Sequence, residues 1–295
     1  MTDAAVGRCE LIRALGAVAD SPQAARAAAD ALGLEAPGDA ELTDVFVLNL
    51  PPYAAIYLGP DGALGGEGAD RVAGFWRVLS IDPPAEPDHL SALLGLYASL
   101  GEAVAAARRP ATRAALATTR AALFWEHLQP WLPGYLEAVT DVPAPALATW
   151  AALLRLVFAA EAVRQPAIPA LPLALRSAPP GLDLSPAAEL RKMTAALTIP
   201  VRSGMILTRH RVALGARQAG VGHRIGERRF TLQAMIEQDP RGTLAWLGAE
   251  AFRWQRRHCR RRGTDATARW WADRAARTGQ VLHGVLDTEA DRLVT

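Results

Sequence analysis

Cysteine occurs only twice in these 295 residues, as Cys9 and Cys259 near opposite ends. Two distant thiols with no neighbouring ligand pattern exclude a disulfide framework, and a zinc site by spacing. Lysine occurs once, as Lys192, so nearly every cation is an arginine. No apolar run reaches the ~18 uninterrupted residues of a membrane span. The best candidate, 150–160, is broken by Arg155. Asp3, Arg8 and Glu10 stand where a signal peptide needs an apolar core, which predicts a cytoplasmic protein. Period-two alternation of useful length is also missing, and without it a sheet has no signature. Val45-Phe46-Val47-Leu48 reads alternatively as a strand, but no second run exists to pair with it.

Catalytic motifs are missing too. There is no nucleophile elbow and no dinucleotide fingerprint. The glycines from Gly59 to Gly68 lack the Lys-Ser/Thr of a phosphate loop. Six scattered histidines include no pair at helical spacing with a third ligand nearby. The expectation is a non-enzyme with no metal or cofactor of its own.

What is present is a globular balance, 51% hydrophobic and 21% charged, long enough for one large core or two modest ones. The net charge of +2 conceals an asymmetry. Residues 1–165 hold 11 basic against 19 acidic side chains, a net of −8, and residues 166–295 hold 21 against 11, a net of +10. An acidic first part attracts a basic peptide over about 8 Å at physiological salt. The basic part packs near it or faces an acidic partner.

Apolar spacing predicts helices almost throughout. They cover 1–33 with a break at Asp20-Ser21-Pro22 and a cap at Gly33, then Leu42–Leu50, then a short helix that Pro51-Pro52 pre-form through Tyr57. Asp70–Leu79, Leu90 to about Arg108, Thr112–Leu128 and Trp150–Val163 follow. Pro166, Pro169, Pro172, Pro179 and Pro180 mark a linker over 166–185, and Ile168, Leu171, Leu173 and Leu175 make it an apolar strap. Pro186–Leu197, Thr208–Ala219, Glu227–Gln238, Leu244–Cys259 and Trp270–Leu286 complete a basic helical region, 186–295. The fold class is all-α.

The most informative stretch is Ala85-Glu86-Pro87-Asp88-His89-Leu90, directly after the breakers Asp82-Pro83-Pro84. Asp88 suits an N-cap, with His89 in the first turn. Read structurally, this is a capped helix start with a solvated histidine. Read functionally, paired carboxylates at a helix mouth take guanidinium groups, and Tyr53, Tyr57 and Trp76 add aromatic surface. An exposed loop of this kind predicts that Asp88→Ala and His89→Ala weaken binding and leave melting nearly unchanged. His127 and Trp131 lie on an apolar helix face and read as core.

Pro51-Pro52-Tyr53, Tyr57-Leu58-Gly59, the central loop and Phe124-Trp125-Glu126-His127-Leu128-Gln129-Pro130-Trp131 recur in an order that resembles the TorD/DmsD/NarJ family of redox-enzyme maturation chaperones. The resemblance covers about residues 40–165. Some members carry an extra residue between the proline and the aspartate, which this loop lacks. It implies an all-helical, non-catalytic, cytoplasmic chaperone without a cofactor. Its partner would be a molybdenum-cofactor enzyme's catalytic subunit with its twin-arginine leader, held back from export until the cofactor is inserted. The residues implied in contact are Tyr53, Tyr57, Leu58, Trp76, Glu86, Pro87, Asp88, His89, Leu90 and His127. A homodimer is left open.

One other reading competes. Ala216 and Gly220 sit at a helix-turn-helix-like spacing, with Arg224, Arg228 and Arg229 beyond, and six arginines crowd Arg253–Arg262. That pattern would suit a nucleic-acid-binding regulator gripping phosphates.

Overall fold

Helix ends fall where local chemistry dictates. Asp3–Ala17 (α1) runs into the break, and Ser21 then accepts the Ala24 N–H at 3.2 Å to start Pro22–Leu32 (α2). Gly33, at φ 64°, closes α2 in the left-handed conformation. The computed structural model describes residues 3–166, 170–183, 190–223, 226–261 and 266–288. Among them it is all-α, and the only bridge outside helices joins Tyr53 to His89. Pro169, Ile168, Pro186, Arg224 and Arg262 lie outside the described residues.

The chain folds as two units, Met1–Ala55 with Ala63–Ala174, and Ile56–Gly62 with Leu175–Thr295. The first contains α1 and α2, then Asp39–Leu42 (α3), which runs into a π-helical stretch at Thr43–Asn49. Ala54–Leu58 (α4) spans the change of unit. The prolines of Pro51-Pro52 stay outside α4 rather than forming its first turn, because the Pro52 carbonyl accepts the Leu90 N–H at 2.8 Å. Gly66–Val78 (α5), Leu90–Ala106 (α6) and Pro110–Ala122 (α7) follow. A second π-helical stretch, Leu123–Leu128, lets the Gln129 N–H reach back five residues to the Phe124 carbonyl at 2.8 Å. Leu132–Val139 (α8) and Pro145–Arg164 (α9) complete the unit.

The core of the first unit is built on aromatic donors. Trp150 donates to the Leu15 carbonyl at 2.8 Å, Tyr135 to Leu50 at 3.2 Å and Trp131 to His127 at 2.8 Å. Buried Glu161 accepts from Tyr97 Oη at 2.9 Å and from Arg120 Nη2 at 2.8 Å. Helix α9 is long and apolar enough to cross a membrane by length and composition, yet Leu147, Trp150, Leu154 and Phe158 pack it into this core.

Leu173–Arg176 (α10) crosses into the second unit, which continues with Leu190–Thr198 (α11), Pro200–Ser203 (α12), Arg209–Ala219 (α13) and Arg228–Gln238 (α14). Pro240–Arg260 (α15) and Ala266–Thr288 (α16) pair around Trp254, Leu247, Ala272 and Leu282. Gly204 ends α12 at φ 74°, and a Cβ there would lie 2.7 Å from Ala275 Cα. Only glycine meets both demands. Residues 56–62 join this unit through Arg202, whose Nε donates to the Pro60 carbonyl at 3.0 Å, and through Ile199, which packs on Gly62.

Candidate functional site

The central loop begins where α5 ends. The Ser80 N–H reaches the Arg77 carbonyl at 2.9 Å and the Ile81 N–H reaches Trp76 at 3.2 Å, the paired bonds of a Schellman ending. Ser80 occupies the left-handed position at φ 58°, where glycine is usual. The chain then runs exposed through Ile81, Asp82 and Pro84 to Glu86, and dives inward at Pro87.

The next three residues form a knot with the chain before α4. The Ala54 N–H donates to the Asp88 carbonyl at 3.1 Å, and the Leu90 N–H to Pro52. The Asp88 carboxylate accepts the Ala55 N–H at 2.8 Å, so it caps α4 from across the fold. This corrects the sequence expectation. His89 is the N-cap of α6, its ring accepting from the Ser91 N–H, and Asp88 serves another helix. Neither residue is exposed, since Asp88 is 2% and His89 7% accessible. Removing the Asp88 carboxylate leaves the Ala55 N–H buried without its acceptor, which costs about 1–3 kcal/mol. Melting should therefore fall in Asp88→Ala, not stay level.

Burial pushes the Asp88 carboxyl up, against the pull of the Ala55 N–H, and pushes the His89 imidazole down, against Glu86, Asp20 and Asp88. His89 Nδ1 lies 2.7 Å from Ser91 Oγ, which donates to Asp20 at 2.9 Å. The Tyr53 ring stands edge-on to His89 at 4.8 Å. Burial first, and the nearby Glu86 carboxylate second, push the Tyr53 phenol up to about 12. Trp76 donates to the Pro87 carbonyl at 3.3 Å. Tyr53, Trp76, Glu86, Pro87, Asp88, His89 and Leu90 are thus brought together.

The remaining expected residues lie elsewhere. Tyr57 and Leu58 are buried in the segment that belongs to the second unit. Burial raises the Tyr57 phenol, with Arg228 pulling the other way. His127 sits buried in the second π-helical stretch, edge-on to Phe75 at 5.0 Å. Sequence reasoning missed Val78 and Ile81, which border the loop at 83% and 43% exposure. A run of apolar residues past the end of a helix was the available signal.

Burial, helped by Arg71, pushes His127 down to about 4. The unfolded imidazole titrates near 6.5, so below that pH the unfolded state takes up the proton first. Stability should be insensitive to this group above pH 6.5 and fall as pH drops toward 4, then level off. The loss is on the order of 3 kcal/mol. Melting curves across that range measure it, and His127→Phe should flatten them if the assignment holds.

The arginines expected to grip phosphates are mostly engaged inside the second unit. Arg228 is buried and donates to the Leu207 carbonyl. Arg253 binds Glu250, Arg257 lies over Trp254 at 4.9 Å, and Arg261 contacts His258. This does not favour the nucleic-acid reading.

The family model described as nitrate reductase delta subunit matches residues 9–137, which include every residue of the loop knot. Over that part the chain is similar to the nitrate reductase delta subunit family. The family is one of molybdoenzyme maturation chaperones, not of enzymes. No curated protein and no solved structure matches the chain.

Proposed function

We propose that this delta-subunit relative is a cytoplasmic, system-specific chaperone. It binds the twin-arginine leader and the cofactor-free body of one molybdoenzyme catalytic subunit, assists cofactor insertion and delays export. The division into a client-binding region 1–165, a strap 166–185 and a basic extension 186–295 is part of this reading. The observation that carries it is the division of labour in the loop. Asp88, His89 and Leu90 are locked inside, while the stretch that leads into them is exposed and carries Asp82 and Glu86 after the apolar Val78 and Ile81.

Carboxylates next to apolar side chains match a segment that carries arginines ahead of a hydrophobic stretch. Trp76 and Pro87 serve as the floor.

Calorimetric titration of the full chain with the leader peptide of the client tests this. Affinity should fall as salt rises, because exposed charges are screened. Asp82→Asn with Glu86→Gln should weaken binding about two- to fivefold per charge, the worth of an exposed ion pair, with the melting temperature unchanged. Binding indifferent to salt and to both substitutions would sink the loop assignment.

A further inference from the structure

Arg274 of the second unit lies against Pro179 and Gly181, with the Arg202 backbone beside Gly181 and Arg277 one turn further along α16, and among the described residues no acid stands between the three. Arg274, on α16, lies over the Trp270 ring at 4.6 Å and donates through Nη1 to the Pro179 carbonyl at 2.9 Å. It is 8% exposed, and its Nε is buried with no acceptor. The Arg202 Nε is engaged by the Pro60 carbonyl and the Arg277 Nε by the Asp273 carbonyl at 3.3 Å. Their other nitrogens make no hydrogen bond to the described residues. Burial first, and repulsion by Arg277 and Arg202 second, push the Arg274 guanidinium down to about 10. Among the described residues no carboxylate stands within ion-pair reach of any of the three.

Elsewhere this chain neutralises paired arginines with its own buried acid. Glu250, 1% exposed at its side chain, takes Arg211 at 2.6 Å and Arg253. Glu161 takes Arg120 at 2.8 Å, with Arg8 at 3.7 Å. Three guanidiniums without such an acid cost repulsion and desolvation that folding alone does not recover. An external anion recovers both.

We propose that Arg202, Arg274 and Arg277 form a binding site for a phosphoryl group, a phosphate or diphosphate, in the basic extension. A carboxylate offers one charge and two oxygens to three planar forks. A phosphoryl dianion offers about two charges and at least three oxygens, and guanidinium forks match its geometry. Trp270, half-buried beneath Arg274, supplies a flat wall beside the site. The assignment is independent of the client-binding loop.

Titration of the full chain with sodium pyrophosphate, followed by heat and by thermal shift, tests the proposal. Binding should raise the melting temperature and weaken with salt. Arg277→Glu puts an acid beside Arg274 and relieves the repulsion there, so unliganded melting should hold or rise while affinity drops about tenfold or more, the loss of one charge-assisted bond. Arg274→Lys keeps the charge but loses the fork and should weaken binding as well. Adenosine diphosphate is the second arm. Tighter binding than pyrophosphate supports a nucleotide stacked on Trp270, and equal binding supports a diphosphate from another source. No heat and no shift at millimolar pyrophosphate overturns the site, as does undiminished binding by Arg277→Glu. A glutamate-rich peptide that binds as tightly as pyrophosphate, and is lost with Arg277→Glu, overturns the phosphoryl assignment.

Discussion

Glu161→Ala should destabilise the first unit by about 3–5 kcal/mol, the cost of orphaning a buried charge. Glu161 is 3% exposed at its side chain and holds three groups at once. Arg120, 16% exposed, would lose its carboxylate while its guanidinium stays 3.9 Å over the Tyr97 ring and its Nε stays 3.2 Å from the Tyr97 carbonyl. Tyr97 Oη would lose its acceptor and keep only the Gln165 donor at 2.7 Å. The side chains are tethered, so the orphaned charge cannot swing out to water. At about 2–4 °C per kcal/mol for a unit of this size, melting should fall by roughly 6–20 °C. Glu161→Gln, which still accepts from Tyr97, should lie between. Glu161→Leu with Arg120→Met should regain much of the loss, because it removes both charges together. A single-variant loss below about 1 kcal/mol would show that the network is not a stability element.

The second large effect is expected in the other unit. Gly204→Ala combines two penalties that have no common relief. A left-handed backbone with a Cβ costs about 1–2 kcal/mol. The new methyl would also press on Ala275 Cα at 2.7 Å and on the Arg274 carbonyl carbon at 2.9 Å, and backbone atoms inside a helix do not give way as side chains do. Overpacking adds about 1–3 kcal/mol. The Gly204 carbonyl meanwhile holds the His258 ring, with Nε2 at 3.0 Å, so a shift of this turn disturbs the Trp254–His258–Trp271 stack. Denaturant melts should register about 2–5 kcal/mol. An unchanged midpoint would mean that the α12–α16 approach loosens at no cost.

Elements set by short-range chemistry were legible in the sequence. Ser21-Pro22 and Gly33 bound α2, and Thr208 and Gly220 bound α13, as their capping preferences predict. The all-α class followed from the same periodicities. What stayed hidden depends on partners far along the chain. Asp88 looks like a local N-cap, and its carboxylate is taken instead by Ala55, 33 residues upstream. The Glu161–Tyr97–Arg120 network joins three helices whose patterns carry no mutual signal. The π-helical stretches insert one residue per turn to suit tertiary packing, and propensity does not record that. The loop itself was visible as chemistry, but its inside and outside were not. Burial separated Asp88 and His89 from Glu86.

The short piece Ile56–Gly62 has a consequence for how the protein is made. Ile56, Tyr57 and Leu58 are buried, and the side chains that meet this piece, Ile199, Arg202 and Arg228, come much later in the chain. At translation rates of about 5–20 residues per second, the ribosome needs roughly 10–30 s to deliver them. During that interval the apolar C-terminal part of α4 waits without its covering. A nascent chain stalled before residue 199 should be a better target for general chaperones and proteases than the released protein, and a gene truncated at the strap would fix that exposed state permanently.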